Sequence, residues 1–297
     1  MNQGTLEISN SEINANSTKG NVFGIESYEN STTNIQNANI NTNADEKDTT
    51  GISNATGANM TIQNSSISVN ADTQGSFGVV NNSSAKMTVI NTNVFADSTE
   101  SSGSGSNNGI GISNTGEMKF YSGSVYGVHS GITNSANGKL YVYGGTLDGY
   151  GHGGIYFAQG TSGEAYVENA TLKSGEYNGK HDESKFTTIH GGSFYIGGGD
   201  QPNNSNNKVY MNGCTLTSVE GTIGVLRGTS GETNNQLYIS NSTIESGKKM
   251  RIDGKNKLFV GKGMNVTEAD VTLSKDKNNY IPTFAEAVEF TNEEYKR

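Results

Sequence analysis

The sequence predicts an all-β solenoid of about ten coils, in which short strands stack on those of the preceding turn. Two observations carry this prediction. No segment between residues 1 and 265 has the 3.6-residue apolar period of a helix, and β-branched residues dominate the periodic positions. A unit with apolar residues at its start, two places on and about seven places on also recurs along nearly the whole chain, and repetition at this scale is the signature of repeat architectures. The units begin at Leu6, Thr33, Met60, Met87, Met118, Leu140, Ala165, Val209, Leu237 and Leu258.

Each unit contains two strands that meet at a bend. The residue four places after the start is an asparagine or a glycine in most units, namely Asn10, Asn37, Asn64, Asn91, Asn169, Asn241, Gly144 and Gly213. Both residue types tolerate a positive φ angle, and the next position is always occupied by a small residue. We therefore expect a sharp corner here, with asparagine amides stacked into a ladder from coil to coil.

A third strand is indicated further along the units. The segment Gly51-Ile52-Ser53-Asn54 recurs in related form at residues 78–81, 111–114 and 131–134. Each coil is thus expected to have three strands. The first four unit starts lie 27 residues apart and later ones lie 21 to 44 apart, so the loops between strands vary in length.

The corner asparagine and the strand-corner-strand unit resemble the right-handed parallel β-helices of the pectin-lyase-like superfamily, and most closely the passenger segments of bacterial autotransporters and adhesins. The resemblance covers roughly residues 5 to 265 and supplies the handedness. It implies a secreted or cell-surface location. Because the first coil follows Met1 almost at once, we expect the chain to be a fragment of a longer exported protein, with an N-terminal end that docks on a partner as the alternative.

The two ends of the chain lead to different expectations. We assign residues 1–265 to the solenoid and residues 266–297 to a C-terminal cap with a short helix. Thr283 and Glu286 have the spacing of a capping box, and Phe284, Ala287 and Val288 would cover the last coil. The first coil begins without such a cover, which leaves its strand edges open for self-association.

Composition narrows the function classes. Only 31% of residues are hydrophobic, which suits a solenoid because each coil buries few side chains and stability accumulates between neighbouring coils. The net charge of −9 argues against nucleic-acid binding. Cys214, the single cysteine, lies at a small corner position and is expected to be buried. No membrane-inserted segment, metal or cofactor is predicted.

Charge is uneven near the end of the chain. A basic cluster occupies the last two full coils and is followed by acidic residues of the cap. The basic residues are Lys248, Lys249, Arg251, Lys255, Lys257 and Lys262. We expect neutralisation between coil and cap, with an anion-binding patch as the alternative.

The candidate binding residues form an aromatic column. One place after the unit start, at an outward position, five successive units carry an aromatic ring, and two more tyrosines lie two places further along neighbouring strands. The column consists of Tyr141, Tyr166, Tyr210, Tyr238 and Phe259, flanked by Tyr121 and Tyr143. Outward aromatic rings at strand spacing are expected to form a platform for sugars, proteins or a second copy, or a ladder that only stabilises the stack.

An enzymatic interpretation has weaker support. Pectin-lyase-like enzymes use clustered carboxylates, often with calcium, or a basic residue on neighbouring coils, and no acidic pair recurs here between adjacent units. The remaining polar constellation lies around the longest unit, since loops that project from a rigid scaffold often carry function. Its candidate catalytic residues are His152, His181, Asp182, Glu183, His190 and Arg227.

These observations predict a non-enzymatic, surface-displayed rod that binds glycans or proteins of a host or neighbouring cell. Binding would use an extended lateral face, with many weak contacts made along the rod. The alternative is a polysaccharide lyase or hydrolase, including a depolymerase similar to phage tailspikes.

Overall fold

The chain folds into a parallel β-helix. The computed structural model describes residues 4–72, 75–98, 109–158, 160–179, 192–198, 204–229 and 232–297. In chain order its strands are β1 (Thr5–Ser9), β2 (Glu12–Ser17), β3 (Val22–Glu26), β4 (Thr32–Gln36), β5 (Asn39–Ala44), β6 (Thr49–Asn54), β7 (Asn59–Gln63), β8 (Ser66–Ala71), β9 (Ser76–Asn81), β10 (Lys86–Ile90), β11 (Thr92–Ser98), β12 (Ile110–Asn114), β13 (Glu117–Phe120), β14 (Gly123–Gly127), β15 (Ser130–Asn134), β16 (Lys139–Val142), β17 (Thr146–Gly149), β18 (Ile155–Ala158), β19 (Glu164–Glu168), β20 (Thr171–Ser174), β21 (Phe194–Gly198), β22 (Lys208–Asn212), β23 (Thr215–Ser218), β24 (Thr222–Leu226), β25 (Gln236–Ser240), β26 (Thr243–Ile244), β27 (Lys249–Asp253), β28 (Lys257–Val260), β29 (Val271–Ser274) and β30 (Val288–Phe290).

These strands form three parallel sheets. Sheet A runs β1-β4-β7-β10-β13-β16-β19-β22-β25-β28-β30, sheet B runs β2-β5-β8-β11-β14-β17-β20-β23-β26, and sheet C runs β3-β6-β9-β12-β15-β18-β21-β24-β27-β29. Each of the ten sequence units begins in sheet A, and every unit start lies opposite the next, from Leu6 against Thr33 to Leu237 against Leu258. The predicted repeat and its register are confirmed.

One continuous apolar core fills the inside of the coils. It is built from the inward positions of all three sheets, and residues such as Ile62, Leu140 and Met211 are fully buried. Cys214 belongs to this core, and burial raises its pKa to about 11. In the described part of the chain, no helix has the length and apolar character needed to cross a membrane.

The corners between sheets A and B have the predicted conformation. Six asparagines and Gly213 adopt positive φ there; the asparagines are Asn10, Asn37, Asn64, Asn91, Asn169 and Asn241. Asn37 donates to Asn10 over 3.0 Å, as the expected amide ladder requires. Three units differ. In them the positive φ falls five places after the unit start instead of four, at Gly123, Gly145 and Gly263, so Gly144 does not have the positive φ that the alignment suggested.

A second asparagine ladder lies inside the molecule, at the end of the sheet C strands. Asn54 donates to Asn81 over 2.9 Å, Asn81 to Asn114 over 2.8 Å, and Asn114 to Asn134 over 2.6 Å. All four side chains are fully buried. The ladder satisfies polar groups that would otherwise be costly to bury, and it explains the asparagine that ends each Gly-Ile-x-Asn or related segment.

The glycine that opens these segments is required by close packing. A Cβ atom at Gly51 would lie 2.6 Å from the carbonyl oxygen of Gly78 and 2.6 Å from Cγ2 of Ile67. No side chain fits between the coils at that point, since real Cβ contacts are longer than this.

The end of the chain covers the last coil by a helix and a strand. Helix α1 (Phe284–Ala287) begins at the predicted N-cap, where Thr283 and Glu286 form the capping box, and Ala287 is buried. The helix is only four residues long, because residues 288–290 become β30 and pair with the edge of β28. Strand β29 continues sheet C, so solenoid pairing extends beyond residue 265.

Three residues of the basic cluster have acidic partners in the described structure. Lys262 forms an ion pair with Glu294 of the cap at 2.9 Å, as expected for contact between coil and cap. Arg251 instead pairs with buried Asp253 at 2.7 Å in its own coil, and Lys248 lies 3.9 Å from Glu245. The charge pattern alone did not show which basic residues would pair with the cap and which with an acidic residue close by in the sequence.

Candidate functional site

The aromatic residues of sheet A form one continuous column. Tyr141, Tyr166, Tyr210, Tyr238 and Phe259 are successive register partners on its outer face. Their ring centroids are separated in turn by 5.8, 4.6, 4.6 and 4.3 Å, and each pair is stacked with ring planes within 16° of parallel. We call these five residues the aromatic ladder. The sequence prediction that they share a column is thus confirmed.

The orientation of the rings differs from a flat platform. Because neighbouring rings stack on each other along the rod, their faces are occupied, and their edges and hydroxyl groups are what the surface presents. Tyr238 donates its hydroxyl to Gln236 over 2.7 Å, and Tyr166 donates to Glu164 over 3.1 Å. Sugar rings bind aromatic residues by stacking on ring faces. Tyr166, Tyr210 and Tyr238 have a stacked ring on each side, so they offer hydrogen-bonding groups instead.

Tyr121 and Tyr143 form a separate pair beside the ladder. Their rings stack at a centroid distance of 5.0 Å, and 43% of Tyr121 is exposed. Tyr121 is therefore the predicted binding residue whose ring is the most accessible in the structure.

Residues 291–297 pass alongside the ladder from the last coil towards the sixth. Tyr295 packs edge-on against Tyr238 at 5.3 Å, and its backbone amide donates to Ser240 over 2.9 Å. Further on, the Cζ atom of Arg297 lies 3.9 Å from the centroid of the Tyr141 ring. Tyr141 consequently retains only 5% exposure. We call residues 291–297 the tail segment.

The ladder is a poor environment for tyrosinate. Burial, followed by the hydrogen bond to Glu164, raises the pKa of Tyr166 to about 12. Burial also raises the pKa of Tyr210 and Tyr238. These hydroxyls stay protonated at neutral pH. Because Tyr166 and Tyr238 already donate their protons to Glu164 and Gln236, their hydroxyl oxygens face a ligand as hydrogen-bond acceptors.

The candidate catalytic residues are only partly described. His181, Asp182, Glu183 and His190 lie outside the described residues. His152 lies in an aromatic cluster before β18, where its ring is 4.3 Å from His129, 4.6 Å from Tyr156 and 5.2 Å from Tyr195. The Nε atom of Arg227 donates to Thr229 over 2.8 Å. Across the ranges that the structure describes, no three histidine, cysteine or acidic side chains come together as a metal site.

The longest unit, which begins at Ala165, contains a long excursion after β20, and the first residues of this excursion, 175–179, lie against sheet B. Tyr177 packs edge-on to Tyr150 at 5.3 Å, and the amide of Asn178 donates to the hydroxyl of Tyr126 over 2.9 Å. Asp148 accepts the amide of Gly175 and pairs with Lys173 at 3.0 Å. The first residues of this excursion are thus bound to the outer face of the rod.

Sequence reasoning missed three residues of these surfaces. Tyr295 and Arg297 follow the last repeat, and no period places them beside the ladder. His129 had a usable signal, since it and His152 follow the aligned glycines Gly127 and Gly149 by two and three residues.

Comparison of the chain with protein-family models, with curated proteins and with solved structures gave no match.

Proposed function

We propose that this protein is a non-enzymatic, surface-displayed rod that binds glycans or proteins of a host or neighbouring cell through the outer face of sheet A. The assignment to the pectin-lyase-like superfamily, with its right-handed winding and its autotransporter-like setting, belongs to the same proposal. The aromatic ladder is the observation that carries it.

The stack of coils does not require aromatic residues at the outward position of sheet A. The inward residues alone fill the core, and the first coils place Glu7, Asn34, Thr61 and Thr88 at the outward position that the aromatic rings occupy later. The scaffold therefore accepts polar residues in this column. Half-buried aromatic rings with tyrosine hydroxyls, as at Tyr166, Tyr210 and Tyr238, are a typical composition of binding surfaces.

The geometry favours an extended contact over a deep pocket. The five rings are one coil apart, and the four tyrosines among them carry hydroxyl groups in a row along the rod. A partner that follows this row would make many similar contacts, each of them weak. The same logic applies to a second copy of the chain, which would align its own ladder with this one.

A depolymerase remains the second candidate, favoured by the cluster of His129, His152, Tyr156 and Tyr195. These four rings lie on neighbouring coils of one face. Histidines grouped with tyrosines are suited to proton transfer. Release of reducing or unsaturated ends from acidic polysaccharides would identify this activity.

The test of the binding proposal compares two sets of substitutions in the same column. Tyr141, Tyr166 and Tyr210 are replaced by serine in one variant, and Asn34, Thr61 and Thr88 in the control. Both proteins are applied to a glycan array and to whole cells. We expect the tyrosine variant to lose binding by at least about tenfold while the control binds like the parent protein. Undiminished binding by a folded tyrosine variant would refute the proposal.

A further inference from the structure

The ladder has one irregular step, and the tail segment contacts it. The rings of Tyr141 and Tyr166 are 5.8 Å apart, whereas the other three steps are 4.3 to 4.6 Å. The Arg297 Cζ atom lies 3.9 Å from the centroid of Tyr141 and 5.7 Å from that of Tyr166. The guanidinium group thus lies over the Tyr141 ring at the widest step of the ladder.

The surroundings of this step suit a cation. Glu168 accepts the backbone amide of Arg297 over 2.9 Å, and Glu164 accepts the hydroxyl of Tyr166. Both carboxylates belong to β19, which also carries Tyr166. A planar guanidinium is attracted to an aromatic face, and it stacks on rings better than a lysine ammonium does.

We propose that the Tyr141–Tyr166 step is a guanidinium-binding slot, and that the partner of this face is a protein segment that presents an arginine. The tail segment is then an intramolecular competitor that occupies the slot until the partner displaces it. This inference rests on the proposed function, and it narrows the partner to a protein.

The way the tail segment is held supports a contact that can open. Residues 291–295 are held by backbone hydrogen bonds to Val260 and Lys262, by the edge contact of Tyr295 with Tyr238 and by the hydrogen bond from the Tyr295 amide to Ser240. Beyond Tyr295, Arg297 is held by the hydrogen bond from its amide to Glu168 and by its contact with the Tyr141 ring. Arg297 itself is exposed, so its hold on Tyr141 is a surface contact. An exposed cation over a ring contributes little because water also solvates it, so a partner with several contacts along the ladder can replace Arg297.

The test uses the full chain and a synthetic peptide. The probe has the sequence Thr-Asn-Glu-Glu-Tyr-Lys-Arg with both ends blocked, and a second peptide ends in alanine. Each is titrated into the parent protein and into the variants Arg297→Ala and Lys296→Ala, with NMR detection of labelled tyrosine rings. Lys296 is the matched control, since it pairs with Glu294 at 3.0 Å and is the immediate neighbour of Arg297.

We expect the arginine peptide to shift the ring signals of Tyr141 and Tyr166 in Arg297→Ala. Its affinity for this variant should exceed that of the alanine peptide by about 2- to 30-fold, the range of a cation–π contact. The parent protein and Lys296→Ala should both bind the arginine peptide more weakly than Arg297→Ala does, because their own Arg297 competes for the slot. The affinity of an Arg297→Lys variant for the arginine peptide should lie between that of Arg297→Ala and that of the parent protein.

Equal affinity of the two peptides for Arg297→Ala would overturn the proposal, as would equal binding of the arginine peptide by this variant and the parent. Tyr141→Leu provides a second check, since it preserves an apolar side chain while removing the ring, and it should abolish the preference for arginine. The outcome is separable from the function test. Suppose that the triple serine variant loses cell binding, and that the arginine peptide does not inhibit cell binding by the parent protein. The ladder then binds a partner, and only the guanidinium-binding slot is refuted.

Discussion

The first four coils and the last five use the same backbone to present different surfaces. In coils one to four the outward position of sheet A holds Glu7, Asn34, Thr61 and Thr88, and Asn34 donates to Glu7 over 2.7 Å. In coils six to ten the same register position holds the aromatic ladder. The inward residues therefore determine the stack, while the outward residues are free to determine what the rod contacts.

The largest effect should come from breaking the interior that both halves share. Asn81→Ala removes a fully buried amide that bonds Asn54 and Asn114 and donates to the carbonyl of Glu117 over 3.1 Å. The partners left unsatisfied should lower the free energy of unfolding by about 3 kcal/mol. The measurement is the urea midpoint followed by circular dichroism.

The corner ladder supplies the control for this prediction. Asn91→Gly removes an exposed amide that donates to Asn64 over 3.0 Å, and glycine accepts the φ of 45° at that corner. We expect a change within about 1 kcal/mol. Equal losses in the two variants would show that burial does not distinguish the two ladders.

A smaller effect should separate the two halves themselves. Tyr210→Ser removes a ring that stacks on Tyr166 and Tyr238, both at 4.6 Å, and aromatic pairs contribute about 0.5 to 1.5 kcal/mol each. We expect a loss of about 2 kcal/mol in the free energy of unfolding. Thr61→Ser at the same position in the third coil should change it by less than about 0.5 kcal/mol. A calorimetric comparison tests both, and equal values would mean that the ladder adds no stability.

Alkaline pH should weaken the aromatic half selectively. The pKa of Tyr166 is raised to about 12 in the folded protein from 10.0, so the folded state holds this proton more tightly than the unfolded state. Its contribution is complete below pH 10 and is lost as the pH rises towards about 12. Spectroscopic titration of tyrosinate should show late ionisation. Glu164→Gln should lower the pKa of Tyr166, because the hydrogen bond to Glu164 is the second cause of the shift.

The smallest loss of stability should come from acid pH, which removes the ion pairs of Glu294 in the tail segment. Hydrogen bonds to Lys262 and then to Lys296 lower the pKa of Glu294 to about 2 from 4.5. The stabilisation by these pairs is present above pH 4.5 and is lost as the pH falls towards 2. Carboxylate NMR should follow this titration, and Lys262→Ala should raise the pKa of Glu294. An unchanged pKa in Lys262→Ala would show that this pair does not hold the tail segment.

Much of the scaffold could be predicted because its determinants are local and repeated. Inward residues such as Ile62 recur at fixed offsets, and corner residues such as Asn37 recur with a positive φ. The aromatic ladder could be predicted in the same way, since alignment of the repeat units places Tyr166 next to Tyr210. What this arithmetic did not give is ring orientation, because stacking depends on the separation between coils and not on sequence spacing.

The sequence by itself determined the all-β class, the ten coils, the register of sheet A, the corner residues and the capping box at Thr283. Each of these depends on residues that are close in sequence or related by the repeat. Only the tertiary structure decided that the Gly-Ile-x-Asn asparagines form a buried ladder, that His129 joins His152, and that Arg297 lies over Tyr141. The last contact joins residues 156 positions apart and outside any period. Such a contact forms only where the folded rod brings the end of the chain back along its own surface.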